Sequence, residues 1–262
     1  MNRRVWAIVR KEWADVFRNK MVLMVVLLPP ALMTVLGLGA LYGTGRFPPS
    51  SMGNMQSFLD RPQYAGLSAQ EAGQVLTGSY FMTLFLLMPL IVPVSIAAYS
   101  IVGEKVQRSL EPLLATPIST TELLLGKCLA AILPALGVTY AAFIIFTIGA
   151  RLFAVSDAAF ARLISPVWVL LIMVVSPLAA VLGVALSVIM SSRVNDPRAV
   201  EQSIGILVVP VLGLFVAQLS GLLTLSYAIL GAGALAMLAV DVAVMRLAVR
   251  LFDREAILTR WR

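Results

Sequence analysis

Residues 103–127 read GEKVQRSLEPLLATPISTTELLLGK, a charged stretch set between two long apolar runs. From Glu104 to Ala115 the pattern suits an amphipathic turn or short helix. Glu104, Arg108 and Glu111 fall on its polar sides, with Leu110, Leu113 and Leu114 available for burial. Pro117 ends it, because proline lacks the N–H a helix would use. Ser119 with Glu122 then makes an S-x-x-E capping box that starts the next helix. A charged element wired into an apolar run on each side belongs at a membrane surface. The alternative is an ordinary loop on that surface.

The apolar runs extend outward from it. A bilayer-crossing helix needs about 20 mostly apolar residues. Six runs meet that need: 21–41, 80–102, 123–149, 167–190, 204–222 and 225–249. None alternates with period two, so the expected fold is an all-α polytopic membrane protein with six transmembrane helices. Composition agrees. Of 262 residues, 60% are hydrophobic and 13% charged, too few charges to clothe a soluble fold of this size. The last two runs are joined only by Gly-Leu-Leu-Thr-Leu-Ser, which suggests a tight hairpin.

Several chemistries are excluded at once. There is no histidine, and Cys128 is the only cysteine, so imidazole-based triads, zinc sites of the H-E-x-x-H kind and intrachain disulfides are out. With no G-x-S-x-G serine and no paired intramembrane aspartates, no catalytic constellation, bound cofactor or metal site is expected.

Lysine and arginine placement sets the expected orientation. Sixteen of the twenty basic residues lie in the N-terminal leader, the segment around Lys105, Arg108 and Lys127, the segment with Arg193 and Arg198, and the tail. The remaining four, Arg46, Arg61, Arg151 and Arg162, lie on the other side. Both termini are therefore expected in the cytoplasm. The net charge of +7 is this asymmetry plus attraction to anionic lipid, and needs no nucleic acid.

The leader, residues 1–20, has its own helical pattern. Val5, Trp6, Val9, Trp13, Val16 and Phe17 share an arc of about 120°, with Arg3, Arg4, Arg10, Lys11, Asp15 and Arg18 elsewhere and Ile8 and Lys20 breaking the rule. It reads as an interfacial helix, either an anchor or a receiver of a cytoplasmic partner.

Within the spans, Pro29, Pro30, Pro89, Pro93, Pro134, Pro177 and Pro210 predict kinks in each of the first five. Small residues at spacing four, Ala179/Gly183/Ser187 and Gly213/Ala217/Gly221, predict close helix approach. Ionisable groups are nearly absent. Asp241 is the one acid inside a span, expected to pair with a nearby cation or polar neighbour, and Gln218 is the notable polar side chain of the fifth.

The 103–127 string resembles the hallmark segment of ABC-2 type transporter permeases, with a mild departure at Ser109. VRKEWADVFRNK (9–20) is similar to that family's amphipathic elbow helix, and LFDREAIL (251–258) to its usual ending. The resemblance implies the membrane subunit of an ATP-driven transporter, an exporter by preference, in the cell membrane. It implies a dimer, of two copies or of a copy with a paralogue, on ABC-type ATP-binding subunits that carry ATP and Mg. The coupling segment to the ATPase would be 103–118, including Gly103, Glu104, Arg108, Leu110, Glu111, Pro112, Leu113, Leu114 and Pro117. Trp6, Arg10, Lys11, Glu12 and Trp13 of the elbow would flank it. The substrate route would lie between copies, near the second and fifth spans. The chain itself lacks a Walker A loop: Gly126-Lys127 is followed by Cys128, and Thr121 stands where the first glycine should be. It is thus read as a non-enzyme.

Residues 42–79 form the longest external loop, a connector or a cap over the external mouth, and 250–262 form a cytoplasmic tail. The competing class is an ion-gradient-driven carrier or channel without a nucleotide-binding partner.

Overall fold

The computed structural model describes residues 3–47, 64–106, 118–191, 194, 196–220 and 225–251, and every element among them is helical. The leader forms α1 (Arg3–Arg18). Asn19 breaks it and caps α2 (Lys20–Arg46), its side chain accepting from the Met21 and Val22 amides. α3 (Ala69–Phe85) and α4 (Met88–Val106) make the second span, and α5 (Thr120–Phe153) the third. The fourth comprises α6 (Asp157–Leu163), α7 (Pro166–Leu170), a π-helical turn (Leu171–Val175) and α8 (Ser176–Ser191). α9 (Pro197–Ile204), a 3-10 turn (Gly205–Leu207) and α10 (Val208–Leu219) make the fifth, and α11 (Tyr227–Leu251) the sixth. Six helical segments are long and apolar enough to cross a membrane, so the six-span expectation holds.

Boundaries shift where capping overrides hydropathy. The Ser119/Glu122 box starts α5 as expected, with reciprocal bonds of 3.2 and 3.0 Å. A second S-x-x-E box at Ser68 and Glu71 starts α3 well before position 80. α2 likewise continues through Arg46, so both ends of the expected 42–79 loop are helical; 48–63 lie outside the described residues. Residues 107–117 of the coupling segment and 252–262 of the tail also lie outside them.

Three prolines leave a common mark. Each lacks an N–H and its ring crowds the carbonyl four residues earlier, which loosens the preceding turn. Phe85, four before Pro89, is the last residue of α3; the position four before Pro177 falls in the π-helical turn; the one before Pro210 falls in the 3-10 turn. α2 and α5 run on as continuous helices through Pro29, Pro30 and Pro134.

The second span is the centre of the bundle. Over its most apolar stretch 78% is buried, against 6% for the fifth and sixth spans. α4 packs against α8, α5, α9 and α2. The Ala179/Gly183/Ser187 stripe makes the α8 contact close, since a Cβ on Gly183 would lie 2.9 Å from the Leu90 carbonyl oxygen. Nothing lies within 4 Å of a Cβ built on Gly213, so the second stripe finds no partner there. The expected tight hairpin is not formed along the last two spans: α10 packs on α3 and α11 on α8. Each finds an older neighbour rather than the other, and large apolar side chains such as Val209, Val216, Leu235 and Leu238 face outward.

Candidate functional site

α1 does more than lie on a surface. Its buried residues are Val5, Ile8, Val9, Glu12 and Val16, while Phe17 is 61% exposed. Relative to the expected Trp-centred arc, the buried face is turned by about 70° toward Ile8 and Glu12. The reason is a close crossing on α5. A Cβ on Gly126 would lie 2.8 Å from Ile8, so glycine there makes room for α1. Trp13 donates its indole N–H to the Ala130 carbonyl at 3.1 Å, and Trp6 stacks edge-on against Trp13 with centroids 5.6 Å apart.

That crossing closes a buried charge network. Lys127, seven residues into the α5 helix, places Nζ 3.0 Å from Glu12 Oε1 and 2.7 Å from Glu104 Oε2, and donates to Ser100 Oγ at 2.8 Å. Lys11 bonds Glu104 and lies 3.2 Å from Glu12 Oε1 and 3.6 Å from Asp15. Two lysines thus meet two glutamates, with exposed Asp15 at the edge, and Glu12 and Lys127 are each 3% exposed. Burial alone would raise the Glu12 carboxyl, but the Lys127 charge, the Ser100 hydroxyl and Lys11 hold it below its ordinary value. Burial likewise works against the Lys11 ammonium, yet the Glu104 bond and the charges of Glu12 and Glu104 hold it above its ordinary value.

The same end is tied further. Lys105 donates to the Ser191 and Val194 carbonyls at 3.4 Å, satisfying groups at the end of α8. Arg4 lies 3.8 Å from Glu122. A cavity of about 700 Å³ opens beside the network, lined in part by Asp15, Arg18, Asn19, Tyr99 and Gly103.

Of the expected coupling residues, Gly103 and Glu104 are the last turn of α4, and Glu104 is buried in the network rather than offered on a polar face. Arg108, Leu110, Glu111, Pro112, Leu113, Leu114 and Pro117 lie outside the described residues. Of the elbow residues, Lys11 and Glu12 join the network, Trp6 and Trp13 are half-buried against α5, and Arg10 is exposed. Gln218 accepts a 2.6 Å bond from buried Thr83, linking the fifth span to the second. Asp241 corrects the expectation of a pairing: it is buried, and neither carboxylate oxygen has a hydrogen-bond partner among the described residues.

The opposite end has a polar clamp that the sequence reading missed. Gln74 donates to the Leu41 and Phe153 carbonyls at 3.0 and 2.8 Å and accepts from the Val155 amide at 2.9 Å. It joins the ends of α2, α3 and α5 to the chain leading into α6. The Ser68 capping box was the available signal that residue 74 belongs to a helix rather than a loop.

Residues 6–231 match the family model described as ABC-2 family transporter protein. No curated protein matches the chain.

Proposed function

The chain belongs to the ABC-2 transporter family, and from that premise we propose that it is the permease of an ATP-driven exporter whose ATP-binding subunit is a separate chain. Residues 103–118 are the docking element for that subunit, and α1 is the elbow helix beside it. Two permeases, identical or paralogous, stand together in the cell membrane with their termini in the cytoplasm. ATP and Mg reside on the partner.

One observation carries the reading: the Lys11–Glu12–Glu104–Lys127 network joins α1, α4 and α5 at the two roots of segment 107–117. A displacement imposed on that segment reaches three helices together, because each is held to the others by charges that cannot separate cheaply inside the bundle. Lys105 carries the same displacement to α8. The nearly unburied faces of the fifth and sixth spans leave area for a second copy or lipid to cover.

The experiment is co-purification of the chain with its ATP-binding subunit, followed by ATPase measurement in liposomes. Glu111→Lys, outside the network, is expected to lower coupled ATPase activity while protein level and melting temperature stay unchanged. Unchanged coupling in Glu111→Lys, or substrate movement by the chain alone, would replace this reading with the gradient-driven carrier.

A further inference from the structure

Asp241 lies at the floor of a cavity of about 570 Å³ between α8 and α11. The walls are apolar, formed by Leu178 and Val181 of α8 and Leu238, Val242 and Val249 of α11. The carboxylate is 97% buried by residue, its exposure being 3%, and both oxygens lack hydrogen-bond partners among the described residues. The other buried acids, Glu12 and Glu104, each hold a lysine. Asp241 alone breaks this rule among them.

Arg246 lines the same cavity, but no hydrogen bond joins it to the Asp241 carboxylate. Five residues further on, it is turned by about 140° around the helix and displaced by about 7.5 Å along it. Its side chain is exposed, in the manner of a cation reaching for the membrane surface. An uncompensated carboxylate among apolar walls costs several kcal/mol, so the cavity is complementary to a positive charge carried on a hydrocarbon body.

We infer that this cavity between the fourth and sixth spans binds a lipophilic organic cation, such as an amphiphilic amine, with Asp241 as its counter-ion and the α8 and α11 side chains around its apolar part. An inorganic divalent ion does not fit, because it takes about six oxygen ligands and the walls supply none beyond this carboxylate. An anion would add a second negative charge beside the carboxylate, and a neutral lipid would leave it without a counter-ion. The inference rests on the membrane setting alone, not on ATP coupling or the direction of transport.

The test is equilibrium binding of tetraphenylphosphonium to the purified full-length chain in lipid nanodiscs, with empty nanodiscs measuring partition into lipid. Saturable binding is expected, weakened about tenfold or more in Asp241→Asn and retained in Asp241→Glu. Asparagine keeps the volume and removes an unpaired charge, so that variant is expected to melt no lower than the parent. Leu238→Trp, at an exposed wall position, leaves the charge in place and is expected to weaken binding by filling the cavity. Triphenylphosphine oxide, a neutral molecule of similar aryl bulk, is expected not to displace the cation. Unaltered binding in Asp241→Asn, uptake no greater than that of empty nanodiscs, or displacement by triphenylphosphine oxide overturns the inference; the second of these also covers a cavity occupied by a second copy.

Discussion

Lys127 Nζ lies 3.0 Å from Glu12 Oε1 although 115 residues separate the two in sequence. The pair sets the roll of α1, because Glu12 can be buried only where Lys127 meets it. It also explains why Lys127 is tolerated a full two turns inside a membrane helix. Both charges are out of water, so each needs the other more than an exposed pair would.

Lys127→Met is expected to leave Glu12 and Glu104 buried against a single exposed lysine and to lower stability by about 3–5 kcal/mol. Glu12→Gln combined with Lys127→Met is expected to recover part of that loss, since it removes one orphaned charge. Thermal melting of the purified protein in detergent measures both. Additive losses in the double variant would contradict the coupling.

Gly126→Val places a branched side chain where even a Cβ would meet Ile8 at 2.8 Å. It is expected to lift α1 from α5, cost about 1–3 kcal/mol, and break the Trp13 bond to Ala130 with it. Faster proteolysis of the N-terminal helix and a red-shifted tryptophan emission would report the release. Gly213→Val, which meets nothing, serves as the control.

Gln74→Leu keeps the bulk of the side chain, strands the Phe153 carbonyl and the Val155 amide, and leaves the Leu41 carbonyl with the Thr44 hydroxyl as its remaining side-chain partner. The expected loss is about 1–3 kcal/mol for buried groups left unmade. Hydrogen exchange should rise at the adjoining ends of α2 and α5 while the Glu12 network at the other end stays protected. Uniform exchange along the bundle would show that the two ends are not separate units.

Acid and base should act on the network in opposite windows. Glu12 titrates below its ordinary 4.5, so its contribution is complete above that value and is lost as pH falls toward the depressed one. Lys11 titrates above its ordinary 10.5, so its contribution is complete below that value and is lost as pH rises through the raised one. Melting temperature is therefore expected to hold a plateau between these limits and to fall at both sides. In Glu12→Gln the acid-side fall should shrink. An acid limb unchanged by that substitution would remove Glu12 as its source.

The six spans were legible because hydrophobic length is a local property: any stretch of about 20 apolar residues must leave water, whatever its neighbours do. The Ser119 cap was local too, and so was the 103–127 string. The Ser68 cap has the same form but lies in a polar stretch that suits a loop as well as a helix. Glu104 was legible as a charge near the membrane but not as a buried one, because its lysines come from 93 residues before it and from the next helix.

Sequence by itself therefore determined the number of spans, their approximate places and the family to which the chain belongs. Tertiary structure alone decided that α1 buries Ile8 and Glu12, that Gln74 closes one end of the bundle, that the last two helices choose different neighbours, and that the Asp241 carboxylate has no hydrogen-bond partner among the described residues. The reason is that burial in lipid depends on summed hydropathy along one helix, whereas pairing depends on the roll and height of two helices together. No window of contiguous residues contains that second quantity.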